Sequence, residues 1–458
     1  MANISSLLVL GGNAVLAQNA GIATTGKNIA NVNTEGYQRE RIDLASLPGA
    51  PNLGGVRVIG PYRTEDLLLA RREQLAMGDR GLALSASSSL SSLEDAIGGA
   101  TSHDLIDAMG AFFAGVSELI SSPLDLARRQ SVVNQADQVA RIFRRVASEI
   151  QGVRTDADGR IYDMSGQANK LAAEIASLNK EMVINRNDPV LADKRDLAAK
   201  KLSELIGGQA RIDPDGMLRF VVGGGVVVVD GARAATVEAV VVSGTFRSVR
   251  VVDGAHVEDI TTRVGGKIGG EVRVRDTIAA TAATDVDQLA VDFSSALNTQ
   301  HSAGEGLDGT SGRLLFTNSA GAAVTSASDM NVYSVILADP RRIAVAAAGS
   351  GAGSGNNANA LAMAALRNSL IASSSTRTAV DEAIRIIGAV GLARANYDRD
   401  VQVENARVDA LAQVRDSLSG VSIQEEMSRL SHFRAAAEAA AKFVQTVDSL
   451  LQVLVERL

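Results

Sequence analysis

Residues Gly21-Ile22-Ala23-Thr24-Thr25-Gly26-Lys27-Asn28 have the G-x-x-x-x-G-K spacing of a loop whose backbone amides cradle phosphate. Such a loop needs a hydroxyl after the lysine to hold magnesium and a buried strand in front of it. Here Asn28 takes the hydroxyl position and an amphipathic helix precedes, so the spacing reads as coincidence. Asp156-Ala157-Asp158-Gly159 opens like a calcium loop, but positions six and twelve are Ile161 and Gln167 where Gly and a bidentate Glu are required. A turn is expected there. Gly223-Gly224-Gly225 lies between two Val-rich runs with no helix after it, which predicts a hairpin or bulge. The four histidines, His103, His256, His301 and His432, are scattered, and no cysteine and no G-x-S-x-G occur. Thiolate metal sites, disulfides and cysteine nucleophiles are thereby excluded. His301 reads as a helix-terminal side chain. No catalytic, cofactor-binding or metal-binding residue is expected, and the chain is not read as an enzyme.

The elements that carry these residues are long helices. The 458 residues suggest about three domains. Forty-five Lys and Arg against 52 Asp and Glu leave a net charge of −7 without basic blocks, which argues against a nucleic-acid partner. Residues 1–26 carry no charge, so a signal peptide or anchor has to be weighed. No basic residue precedes the Leu7-Leu8-Val9-Leu10 run, and Asn13, Gln18 and Asn19 would be costly in lipid. A soluble chain without a cleavable signal or membrane partner is expected.

That uncharged segment is explained by its spacing. Ile4, Leu8, Gly11, Val15, Gln18, Ile22, Thr25 and Ile29 recur at steps of four and three, the period of a coiled-coil seam. Near the other end Phe433, Ala437, Ala440, Val444, Val447, Leu451, Leu454 and Leu458 do the same, with Ile423, Met427 and Leu430 read as continuing the stripe upstream. Ser422-Ile423-Gln424-Glu425 fits a capping box, and Gly420 is placed to end a preceding helix in a left-handed conformation. That helix is expected from about 376 to 418. Further helical stretches are read at 64–98, 103–151, with Pro123 in a restarting first turn, 161–206 and 275–301, and an uncharged Gly-Ser connector at 349–357. Residues 207–265 switch to short Val-rich runs broken by turns, so strands are expected, and 313–347 reads as extended. The expected fold is mainly α, with a terminal coiled coil and a helical bundle, plus a small inserted β domain; it is α+β overall. The expected domains are 1–63 with 372–458, 64–206 with 266–371, and 207–265.

Asn28-Ile29-Ala30-Asn31-Val32-Asn33-Thr34-Glu35-Gly36-Tyr37 resembles the N-N-I-A-N-x-N-T-x-G-[YF] signature of the bacterial flagellar rod, hook and hook-associated proteins. Lys27 stands where that signature has a first amide, and Glu35 where proline is common. Ser419-Gly420-Val421-Ser422-Ile423-Gln424-Glu425-Glu426 resembles the closing segment of the same family. Phe112-Phe113, Pro123, Arg129, Asp193 to Leu197 and Leu297 to His301 are similar to the pattern of its hook–filament junction group.

The resemblance implies a structural subunit that links hook to filament and is required for filament assembly. Its implied partners are copies of itself in a ring, the hook protein, a second junction protein, and an export chaperone on the C-terminal helix from about Ser422. It also implies type III export, with transient residence in the cytoplasm and a final place in the extracellular flagellum. The family motif residues are Asn28, Ile29, Ala30, Asn31, Asn33, Thr34, Gly36 and Tyr37. Alternatives are the hook protein or the other junction protein, and more remotely a P-loop nucleotide-binding protein or a secreted adhesin or effector.

Overall fold

The computed structural model describes residues 2–47, 55–98, 104–186 and 188–456. In chain order the elements are α1 (Ala2–Ala30), β1 (Glu40–Leu47), β2 (Gly55–Arg63), α2 (Leu67–Gly98), α3 (Asp104–Ser121), α4 (Leu126–Ile184) and α5 (Pro189–Ile206). Strands β3 (Gln209–Ile212), β4 (Leu218–Val222), β5 (Val226–Asp230), β6 (Arg233–Ala234), β7 (Thr236–Val240), β8 (Ser248–Asp253) and β9 (His256–Asp259) follow. Then come α6 (Gly266–Arg273), a π turn at Val274–Ile278, α7 (Ala279–Ser302), β10 (Gly304–Glu305), β11 (Phe316–Thr317), β12 (Asn331–Val332), α8 (Ser334–Ala338), β13 (Ala346–Ala347) and α9 (Ala358–Ala365). Two long helices, α10 (Ala379–Ser419) and α11 (Ile423–Glu456), close the order. The fold is 66% helical, mainly α with a small β part, as the sequence predicts.

Three expectations change. Asp156 to Gly159 form no turn; they lie inside α4, which runs unbroken for 59 residues. Asp158 is held there by arginines far along the chain, so its polarity serves a buried ion pair and not a loop. Pro123 does not start this helix either: Asp125 caps it, its side chain accepting from the amides of Ala127 and Arg128. Residues 313–347 are short strands and single helical turns, not one extended stretch.

Two apolar cores organise the body. One gathers α2 from Ala86, α3, α4 up to Val153, α7, α9 and the start of α10. Phe112 and Phe113 pack edge-on against Phe293 there, with ring centres 6.2 and 5.9 Å away. The other joins α4 from Ile161, α5 and α6 to the antiparallel sheets β3-β4-β5-β6 and β7-β8-β9. Strand β4 alternates buried and half-buried residues, the pattern of a sheet with one face in the core. The three glycines at 223–225 make the turn between β4 and β5, Gly224 and Gly225 at φ +80° and +88°.

His301 is fully buried at the end of α7. Its Nδ1–H donates to the Arg313 carbonyl at 2.7 Å and its Nε2 accepts from the Ala344 amide at 3.0 Å, so the neutral ring satisfies both neighbours. Burial pushes its pKa down to about 4. Between about 4 and the unfolded value of about 6.5 the unfolded chain binds the extra proton, so stability is full above that window and falls with pH through it, by about 3 kcal/mol. Urea unfolding at about pH 7.5 and about pH 4.5 should show this loss, and His301→Gln should flatten it. Equal slopes for both proteins would refute the assignment.

Candidate functional site

The residues singled out at the two ends meet in space. Helices α1 and α11 lie antiparallel against each other, and the β1–β2 hairpin covers another side of α1. Direction and register follow from the glycines. A Cβ on Gly11 would come 2.5 Å from Val444, and one on Gly21 would come 2.6 Å from the Phe433 ring. Ten residues apart on α1 thus face eleven on α11. By length and composition, residues 6–30 could also cross a membrane; in this fold they are half of the pair.

The line of closest approach on α1 is set by its small residues. Gly11, Ala17, Gly21, Thr25 and Asn28 are buried, whereas Leu8, Val15, Ile22 and Ile29 are half-buried on the flanks. Apolar periodicity marks the bulky flank; the glycines beside it let the backbones approach. On α11, Leu430, Phe433, Val444 and Leu451 are half-buried and Val447 is buried. Ile423 and Met427, read as the upstream end of this stripe, are 52% and 53% exposed. The position facing α1 there is Glu426, 1% exposed, because the end of the interface is polar. The side chains of Ile4 and Leu454, and all of Leu458, lie outside the described residues.

Gly21→Val should therefore cost about 1–3 kcal/mol of the pairing, since its methyls must displace the Phe433 ring. Adding Phe433→Ala should return part of it. Hydrogen exchange of residues 430–447 measures both; additive losses in the double variant would refute the contact.

The polar end is a closed network. The Asn28 amide uses its whole capacity: Nδ2 donates to the Glu40 carbonyl and to Glu426, both at 2.9 Å, and Oδ1 accepts from Tyr37 at 2.8 Å and from the Glu40 amide at 3.0 Å. Arg39, also buried, donates Nε to Glu426 at 2.8 Å and a second nitrogen to Glu425, also at 2.8 Å. Its backbone amide takes the Ser419 carbonyl at the end of α10. Burial, with Glu40, Asp193 and Glu426 nearby, raises the Tyr37 pKa above the usual phenol range, which keeps its O–H a donor.

The rest of the motif shapes the turn that carries Tyr37 and Arg39. Asn31 donates to the Lys27 carbonyl, Thr34 donates to Asn31, and Gly36 turns at φ +81° against Leu197 of α5. Ala30, Asn33 and Glu35 are exposed. Asp193 on α5 accepts from the Gln38 amide and from Arg63 of β2, and burial pushes its pKa up to about 6 against the pull of Arg63.

Two readings are corrected here. Gly420 is not left-handed; at φ −70° it is needed because a Cβ would stand 2.2 Å from the Asp416 carbonyl. Only half of the capping box forms: Ser422 accepts from the Glu425 amide, while the Glu425 carboxylate turns to Arg39. Lys27, the lysine of the phosphate-loop spacing, pairs with Glu40 from within α1. No periodicity or spacing pointed to Glu40, which closes the network around Asn28, or to Arg39 and Glu426, which bind the motif to α11.

The family description "Flagellar hook-associated protein FlgK helical domain" matches residues 90–316. Flagellar hook-associated protein 1 of Bacillus subtilis is 24% identical over 96% of both chains. Its namesakes in Salmonella typhimurium and Escherichia coli are 25% and 26% identical, covering 69% and 68% of this chain and 60% of their own length. The structure of the flagellar hook junction protein FlgK from Burkholderia pseudomallei superposes with a TM-score of 0.68 at 16% identity, over 77% of this chain and all of that one, and so shares the fold. Residues 90–316 thus match the FlgK helical domain, and the chain is similar to flagellar hook-associated protein 1 over nearly its whole length.

Proposed function

We propose that this protein is a structural subunit of the junction between flagellar hook and filament, and that its assembly there is what lets the filament grow. The relation to hook-associated protein 1 of Bacillus subtilis over nearly the whole of both chains carries the reading. The terminal pair supports it. Val9 and Leu16 of α1 and Leu450 and Val455 of α11 stay more than half exposed after the helices have paired, an apolar surface that suits burial between neighbours in a tube.

In this reading the protein works without catalysis. Residues 1–63 with 372–458 form the axial part, 64–206 with 266–371 the rod around it, and 207–265 the outward-facing β domain. The paired terminal helices contact further copies of the chain in a ring through the apolar residues their pairing leaves exposed, with the hook protein on one side and the second junction protein on the other. A chaperone holds the C-terminal helix before export through the flagellar channel, and the protein ends outside the cell. Deleting the gene should leave hooks without filaments, and gold-labelled protein should appear at the distal end of the hook in electron micrographs. Retained filaments in the deletion strain would overturn the proposal.

A further inference from the structure

The two apolar cores are not continuous. The helix pairs that join them run through a layer that is polar inside. Asp158 on α4 accepts from Arg275 of the π turn at 2.7 Å and from the Arg247 amide at 2.8 Å. One level away the buried Glu271 accepts from Ser85 and Ser89 of α2 and from Arg160 of α4. The Phe246 ring lies against both Arg154 and Arg275. Hydrogen bonds and ion pairs of this kind hold one geometry well but can exchange partners, which interlocked aliphatic side chains cannot do without opening voids.

Two of the three helical crossings are weakened at the same level. The third, α2, crosses unbroken, with Gly78 and Gly81 on α5 and its residues from Ala86 in the other core, and is the side about which the other two can bend. The α6–α7 connection passes through the π turn at Val274–Ile278, where the Ala279 amide reaches back to Val274. A π turn is an α-helix with one residue too many, and it can move along the helix without breaking the chain. Helix α4 carries Gly152, Gly159 and Gly166 at seven-residue intervals, and a Cβ on any of them would meet nothing within 4 Å. No packing requires these glycines, and each lowers the helix propensity of the segment that crosses the polar layer.

We propose that this waist is a hinge on which the β half of the body, α5 with β3 to β9, tilts against the helical half. The glycines of α4 and the π turn bend, and the ion pairs of Asp158 and Glu271 re-form at each end of the swing. The inference does not depend on the proposed function.

The chain has no cysteine, so spin labels can be placed without background. Ala232→Cys in the β half with Ser295→Cys in the helical half reports across the waist; Gln138→Cys with Ser295→Cys is the control within one half. All three positions are exposed. The hinge predicts a distance distribution across the waist clearly broader than the control. It also predicts narrowing to the control width when Gly152, Gly159 and Gly166 are all changed to Ala, a variant whose added methyls have open space. A distribution across the waist as narrow as the control in the unsubstituted protein would overturn the proposal. So would a broad distribution that the three alanines leave unchanged.

Discussion

Glu426→Ala should release the C-terminal helix from the body, at a cost of about 3–5 kcal/mol for the terminal pair. The carboxylate is fully buried and answers two donors from different segments, the Asn28 amide and the Arg39 guanidinium. Removing it leaves Arg39 buried with only the exposed Glu425 as counter-charge, and one Asn28 N–H unpartnered. Glu426→Gln should be milder, because the amide oxygen can still accept from one of the two. Limited proteolysis reads the effect: α11 should be cut ahead of the body in the Ala variant, whose global unfolding transition should stay in place because neither apolar core includes α11. A cleavage pattern equal to that of the unsubstituted protein would show that the network contributes little. In the junction reading the variant should also assemble poorly, since a detached α11 no longer presents its outer face in register with α1.

Glu426 stands in the closing segment that resembles the family, but the spacing did not mark it as a contact residue. Periodicity finds what is apolar and regularly spaced, and it found the stripe from Phe433 to Leu458. Continuing upstream by the same rule selected Met427 and Ile423, because the next residue on the inward face is a charged one that no apolar count includes. Glu426 can be buried only because Arg39 and Asn28 come from 387 and 398 residues away, and a single sequence carries no sign of that pairing. On α1 the fault is of the same kind. Gly11 stood in the predicted seam and Gly21 only in the phosphate-loop spacing, yet both are contact positions, because a helix without Cβ atoms can be approached closely.

The fold itself was more legible. The short Val-rich runs at Phe220–Val222 and Val226–Val229, with turn glycines between them, predicted strands, and the long four-three repeats predicted helices. The continuity of α4 was hidden because Asp156-Ala157-Asp158-Gly159 has the composition of a turn, and composition cannot tell a solvated aspartate from one waiting for a distant arginine.

Asp158→Ala is the test of that last distinction. Asp158 is 6% exposed and its two partners are cations: Arg275, 2% exposed, and Arg247, which reaches it from the β7–β8 connection. Taking the carboxylate away leaves the Arg275 guanidinium inside with Asp276 alone, a loss of about 3–5 kcal/mol in urea unfolding. Arg247 is only partly covered and can turn to water, so it adds little to the cost. A second substitution separates burial of an unpaired charge from loss of a favourable pair. If the cost is the stranded cation, Asp158→Ala with Arg275→Met should be more stable than Asp158→Ala alone, since a flexible apolar chain can fill the space of the guanidinium stem. If the double variant is instead the less stable one, the pair itself holds α4 to the π turn, and the polar layer between the two cores is a clamp and not a tolerated fault.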